Sequence, residues 1–323
     1  MSVFLPSGPA VVGLGLALLG ATLALGFAVA RIRPVAAARA AAWGLALTAA
    51  VVAERLTASE PAGFRMLAII GTLFYGLKAV VAVESRAAGG AALGPAAWLE
   101  FAALWPGMRP ELFARRGAEP LPGAGALALR GLVRLVTGCL LVAAARALTA
   151  AGGPRLLATV LVLPGLSLIL HFGIFNLVAG AWRRAGIDAR PMFRAPLRAT
   201  SLTEFWGRRW NLPFSEMTAL GVYRPLRGRW GTAPALTAAF LVSGLLHEAA
   251  ISVPVGAGYG LPLAYFALHA ALMSVERRRA RTGRPLSTPA WRGRLWTLLW
   301  LALPLPLLFH RPFLAGVVWP LLR

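Results

Sequence analysis

Runs of about twenty apolar residues recur along this chain, most of them bordered by arginine. The first, about Gly8–Ala30, ends at Arg31 and Arg33. As a helix, such a run is about 30 Å long and covers the hydrocarbon core of a bilayer. Further runs cover about Ala40–Leu56, Phe64–Val83, Gly131–Leu148, Leu156–Trp182, Thr232–Val255, Leu261–Val275 and Leu295–Phe309. Only 14% of the 323 residues are charged, against roughly 25% in soluble domains. The expectation is an all-α polytopic membrane protein with about eight transmembrane helices plus interfacial helices. No insert is long enough to fold alone, so residues 1–323 read as a single integral-membrane domain. Met1–Ala30 lacks a basic region ahead of its apolar stretch and reads as a first span, not a cleaved leader.

Arginine placement orients the bundle. With the N-terminus outside, 26 of the 32 arginines fall in inner connections or at inner span ends. That bias makes both long loops, residues 84–130 and 183–231, cytoplasmic. The first contains GPAAWLEFAALWPGMRPELF, whose aromatic, partly amphipathic pattern predicts an interfacial segment. Lys78 is the only lysine. This skew to arginine, with the abundance of Ala and Gly, suggests a GC-rich bacterial source and hence a bacterial cytoplasmic (inner) membrane. The net charge of +22 is spread among apolar spans. It suits loops, anionic lipid and an anionic ligand, and no nucleic-acid partner is expected.

The residue list excludes several chemistries. Asp188 is the only aspartate, so a Mg²⁺ site of clustered aspartates is out of reach. The histidines, His171, His247, His269 and His310, are too scattered for a di-iron centre. Cys139 is the sole cysteine, which removes disulfides and thiolate metal sites. No metal is expected. There is no phosphate-binding G-x-x-x-x-G-K-[ST] loop. Ser243 and His247 share a helix face four residues apart, yet the strained nucleophile turn of a Ser–His hydrolase is missing.

Two features remain. Residues 201–211 read SLTEFWGRRWN, with Trp206, Arg208, Arg209, Trp210 and a terminal Asn211. The aromatic–basic mixture suits a membrane surface, and Trp206 and Trp210 are read first as interfacial anchors. The second feature is His247–Glu248, deep in the apolar run that begins at Thr232. An ionisable group there is costly, and so points to function. A neutral imidazole can act as a general base. Glu248 points about 100° around the helix from His247. The plainer alternative for His247 is an interhelical hydrogen bond. His171 and Asn176 on the fifth span are read first as interhelical hydrogen-bonding groups, with lining of a substrate tunnel as the alternative, while His269 reads as structural.

SLTEFWGRRWN, then VYRPL, then VSGLLHE resembles the wax synthase branch of the membrane-bound O-acyltransferase superfamily. The likeness is densest over Ala195–Glu248 and extends loosely to Trp105–Pro106–Gly107–Met108. It implies that His247 is the catalytic residue and Asn211 the second signature residue. It also implies acyl transfer from acyl-CoA to a lipophilic alcohol, with acyl-CoA as co-substrate and no further cofactor. His247 would take the hydroxyl proton, and the Asn211 amide would stabilise the oxyanion or position a reactant. Arg208 and Arg209 would meet CoA phosphates. Trp206, Trp210, Ser243 and Glu248 complete the candidate substrate- and CoA-binding set, and membrane lipids are the remaining partners. One alternative is an acetyl-CoA-dependent transferase acting on a small or polycyclic alcohol. Another, of a different class, is a transporter or lipid-binding protein with His247 as proton relay; no inverted repeat of the spans supports it. On this topology Asn211 sits at the cytoplasmic face and His247 past the midplane, so the loop or the acyl chain must reach inward.

Overall fold

A computed structural model describes residues 2–117 and 119–323. Among the described residues every regular element is helical. Six helices are long and apolar enough to cross a membrane: α1 (Pro9–Val29), α2 (Val35–Leu56), α3 (Ala62–Ala87), α5 (Ala124–Ala150), α6 (Arg155–Arg184) and α9 (Thr232–Val255). A short helix, α4 (Pro95–Ala103), lies between α3 and α5. Two broken helices, α7 (residues 202–209) and α8 (residues 212–230), precede α9. The chain closes with α10 (Leu261–Arg281), α11 (Ala290–Leu308) and α12 (Arg311–Leu322). The expected count of about eight spans is approximate. The α11–α12 pair makes a seventh only if its 67° bend is taken within one span. The α10 helix has the length, at 21 residues, but it carries His269, Glu276 and four arginines.

Small residues let the helices touch. Ala38, Ala42, Ala46, Ala49, Ala50 and Ala53 form the buried face of α2. Against them lies Gly76 of α3, where an added Cβ would stand 2.4 Å from the Ala46 Cα. Apolar side chains gain nothing from the hydrophobic effect inside lipid, so close backbone contact takes over. Gly244 of α9 does the same beside α10, with an added Cβ 2.9 Å from the Leu263 Cα. That contact brings the His247 helix against α10. By contrast, α1 turns Leu14, Leu16 and Leu25 outward.

The segment expected to lie in the interface is drawn into the bundle instead. Trp98, Phe101, Trp105, Met108 and Phe113 are all buried. The reason is Lys78 of α3, which is 0% exposed. Its Nζ donates to the carbonyls of Phe101 (2.8 Å), Trp105 (2.6 Å) and Gly107 (2.6 Å). A buried ammonium needs its donors satisfied, and here the end of α4 and the Trp105–Pro106–Gly107 turn satisfy all three. The Trp98 indole N–H donates to the Leu23 carbonyl and ties the same segment to α1 (3.1 Å).

Candidate active site

The site is built where α8, α9 and α10 meet. His247 ends the regular part of α9, just ahead of a π-helical turn at Glu248–Ser252. Its Nδ1 lies 2.7 Å from the Ser243 carbonyl oxygen. A carbonyl only accepts, so Nδ1 carries the proton and Nε2 of the neutral ring is left with its lone pair. Among the described residues Nε2 has no hydrogen-bond partner. The ring packs on Phe266 of α10 at 4.3 Å between centroids, and on Phe214 of α8 at 5.7 Å. The imidazole is thus fixed in tautomer and orientation, with a basic nitrogen uncommitted.

Asn211 sits at the junction of α7 and α8 with φ +41° and ψ +57°. Asn tolerates this left-handed region better than most residues. Its side chain makes no hydrogen bond with the described residues, not even to cap α8. On either side the chain is anchored. Trp210 stacks on Phe205 (5.5 Å, 13°) and meets Phe193 edge-on at 4.9 Å. The Leu212 amide donates to the Met192 carbonyl at 3.0 Å. Three residues beyond Asn211, Phe214 rests on the His247 ring. The turn that carries Asn211 is thus tied to the His247 ring through Phe214.

Residues 201–209 are held by carboxylates. Glu276 of α10, 7% exposed, accepts four hydrogen bonds. Oε1 takes the Leu202 amide (2.7 Å) and the Trp296 indole (3.0 Å). Oε2 takes the Thr203 amide (3.0 Å) and hydroxyl (2.8 Å). It covers the free N–H groups at the start of α7, where a helix favours negative charge. Glu204 accepts from the Thr200 amide (2.8 Å) and from Arg209 Nε (2.7 Å). The Glu276 role was not foreseen from the sequence. Its one signal is its isolation: it is the last acidic residue of the chain, directly ahead of Arg277–Arg279.

The other candidates divide between framework and open groups. The Arg209 guanidinium is occupied by Glu204 and by the carbonyls of Arg194 and Ala195. Arg208 is exposed and forms no ion pair among the described residues. Trp206 faces inward, packed on Phe205, Phe240, Phe266 and His269, with its indole N–H buried and unpaired. An anchoring position at the interface is not where the structure puts this ring, because α9 and α10 offer it aromatic partners inside. Ser243 is buried, and its hydroxyl donates to the Ala239 carbonyl at 2.9 Å. Glu248 Oε1 accepts the Leu263 amide at 3.0 Å, which caps α10, while Oε2 is buried without a partner. Glu248 thereby holds the helix that presses Phe266 on His247.

On the far side, His171 lies in a π-helical stretch of α6, Leu168–Ile174. It pairs with Ser167 of its own helix (3.1 Å), stacks on Phe193 (4.7 Å) and meets Trp210 edge-on (5.8 Å). Asn176 likewise donates within its own helix, to the Phe172 carbonyl at 2.8 Å. The interhelical bonds expected of both are absent among the described residues. Four π-helical turns, at 168–174, 205–209, 219–223 and 248–252, occur in the elements around this site. Such turns are frequent at functional positions. No group of three or more His, Cys, Asp or Glu among the described residues is placed to hold a metal ion.

Residues 189–268 match the membrane bound O-acyl transferase family. The matched segment contains Asn211, His247, Glu248 and the whole α7–α9 arrangement. This chain is 48% identical over 71 residues to a long-chain-alcohol O-fatty-acyltransferase of Simmondsia chinensis. It is 46% identical over 69 residues to the probable long-chain-alcohol O-fatty-acyltransferase 6 of Arabidopsis thaliana. An acyl-CoA–sterol O-acyltransferase 1 of Arabidopsis thaliana is 38% identical over 69 residues. The Simmondsia match covers 20% of this chain and 20% of that protein. The resemblance seen in the motif thus holds over residues 189–268, and the chain spans only about a fifth of the length of the curated relatives it matches.

Proposed function

We propose that this protein is an integral-membrane O-acyltransferase that moves an acyl group from acyl-CoA to a lipophilic, long-chain alcohol. The observation that carries the reading is the state of His247: Nδ1 held by the Ser243 carbonyl, Nε2 free, in the segment that matches the membrane bound O-acyl transferase family. The hydroxyl of the alcohol gives its proton to Nε2 as its oxygen attacks the thioester carbonyl. The tetrahedral oxyanion is met by the Asn211 amide, whose N–H groups are uncommitted. Collapse breaks the C–S bond, and the imidazolium returns its proton to the departing CoA sulfur. The products are an ester and free CoA, and His247 ends as it began.

Arg208, Arg224, Arg227 and Arg229 are exposed on α7 and α8, and guanidinium groups there suit CoA phosphates. With the arginine-rich loops facing the cytoplasm, the donor arrives from that side and the alcohol from the bilayer. The arginine skew supports a bacterial inner membrane as the setting, although the relatives named above are plant proteins. The sterol relative supports a second acceptor class, a polycyclic alcohol. The test is to mix the purified chain with acyl-CoA and a long-chain alcohol, and to measure free thiol. CoA release that requires the alcohol supports transfer. Uptake or binding without CoA release identifies a transporter or lipid-binding protein instead.

A further inference from the structure

The end of the bundle opposite the motif loops carries few arginines, yet four of them gather in one place. Arg146 lies near the end of α5, Arg155 opens α6, Arg311 opens α12 and Arg323 follows it. Arg146 is spent on the Arg323 carbonyl oxygen at 2.8 Å, which ties the end of α12 to α5. The other three line a cavity of about 280 Å³ together with Thr149, Ala315, Trp319, Pro320 and Leu322. No acidic side chain lines it. Among the described residues, none of these three guanidinium groups forms an ion pair. Arg155 lies over the Trp319 ring at 5.7 Å, and the Trp319 indole donates to the Thr159 hydroxyl at 2.9 Å. The floor of the cavity is therefore rigid and apolar, and its rim is cationic.

We propose that this cavity binds the phosphate of an anionic membrane phospholipid. Three unpaired guanidinium groups around one concavity repel each other, and a phosphodiester accepts from them bidentately. The depth fits: Arg155 and Arg311 both stand at helix ends, where headgroup phosphates lie. Beside the cavity, Leu156, Leu157 and Val160 of α6 are exposed, which gives the acyl chains an apolar track. The volume lies just below the range of about 300–1,000 Å³ typical of small-molecule sites. That suits a headgroup phosphate. The site is remote from His247 and does not depend on the proposed transfer reaction.

The test uses the full chain in nanodiscs of phosphatidylcholine, with and without phosphatidylglycerol, and reads thermal unfolding. Arg155→Gln/Arg311→Gln is compared with Arg55→Gln, an exposed arginine at the same end of the bundle outside the cavity. In wild type and Arg55→Gln, phosphatidylglycerol raises Tm by about 2 °C. The double variant keeps the wild-type Tm in pure phosphatidylcholine and loses that rise; Arg311→Gln alone loses part of it. Inorganic phosphate added to phosphatidylcholine discs gives no rise. A rise that survives in the double variant, or is lost equally in Arg55→Gln, overturns the site. An equal rise with inorganic phosphate overturns the lipid assignment. Should the double variant fail to fold, the Arg311→Gln and Arg55→Gln rises decide: equal rises overturn the proposal.

Discussion

Helix α1 and residues 201–211 make opposite uses of their side chains. Among the described residues, the one α1 side chain in a hydrogen bond is Thr22, and it bonds only to the Leu18 carbonyl of its own helix. Leu14, Leu16 and Leu25 face outward, while Leu18 and Leu23 pack inward against the core. In residues 201–211, Ser201, Thr203, Glu204 and Arg209 all make side-chain hydrogen bonds. Glu276 and Glu204 there hold a loop that shape alone would not hold. Apolar contact places the scaffold, and charge-assisted hydrogen bonds place the chemistry. The family match covers the second region and does not reach the first.

Substitutions should separate the two regions sharply. His247→Gln should lower ester formation by about 10²–10⁴-fold, the usual worth of a general base, with Tm almost unchanged. Asn211→Gly keeps the left-handed backbone without strain and removes only the amide. Turnover should fall by about 10²–10³-fold if that amide meets the oxyanion; full activity would reduce Asn211 to a turn residue. Glu276→Gln leaves at least one donor of α7 unpaired, with a loss of about 1–3 kcal/mol and a parallel drop in activity, read by denaturation and turnover on one preparation.

Acidification gives a graded effect at the same segment. Burial works against ionisation of Glu204, but the Thr200 amide, Arg209 and the Thr200 hydroxyl outweigh it, holding its carboxyl below the usual range. A depressed carboxyl contributes stability that is present above its unfolded value and lost as pH falls through the folded one. Activity should therefore decline in that acidic window, and Glu204→Gln should flatten the decline. At the small end, Leu16→Ala on α1 should change stability by no more than about 0.5 kcal/mol and leave turnover intact. A large loss there would show that α1 carries more than fit.

The helices were legible because twenty-residue apolar runs have few alternatives in a membrane. Their ends were less so. The fourth run, expected from Gly131, starts at Ala124 because Arg130 sits inside the helix. The infolding of residues 94–114 was not legible. It turns on Lys78 finding three carbonyls far along the chain, and a lone lysine in a span does not announce its partners. His247 and Asn211 could be named from the motif, while the bond that fixes the His247 tautomer could not. That bond goes to a backbone carbonyl, and every residue has one. Glu276 was hidden for a related reason: its partners are backbone amides 73 and 74 residues away.

The central claim is that His247 Nε2 takes a proton from an alcohol. Its most direct test is lipid mass spectrometry of cells expressing wild type or His247→Ala, fed long-chain alcohol, with membrane levels of the two proteins matched. The account predicts that an ester present with wild type vanishes with the variant, while the variant remains folded in the membrane. The same ester at the same level from His247→Ala would contradict it.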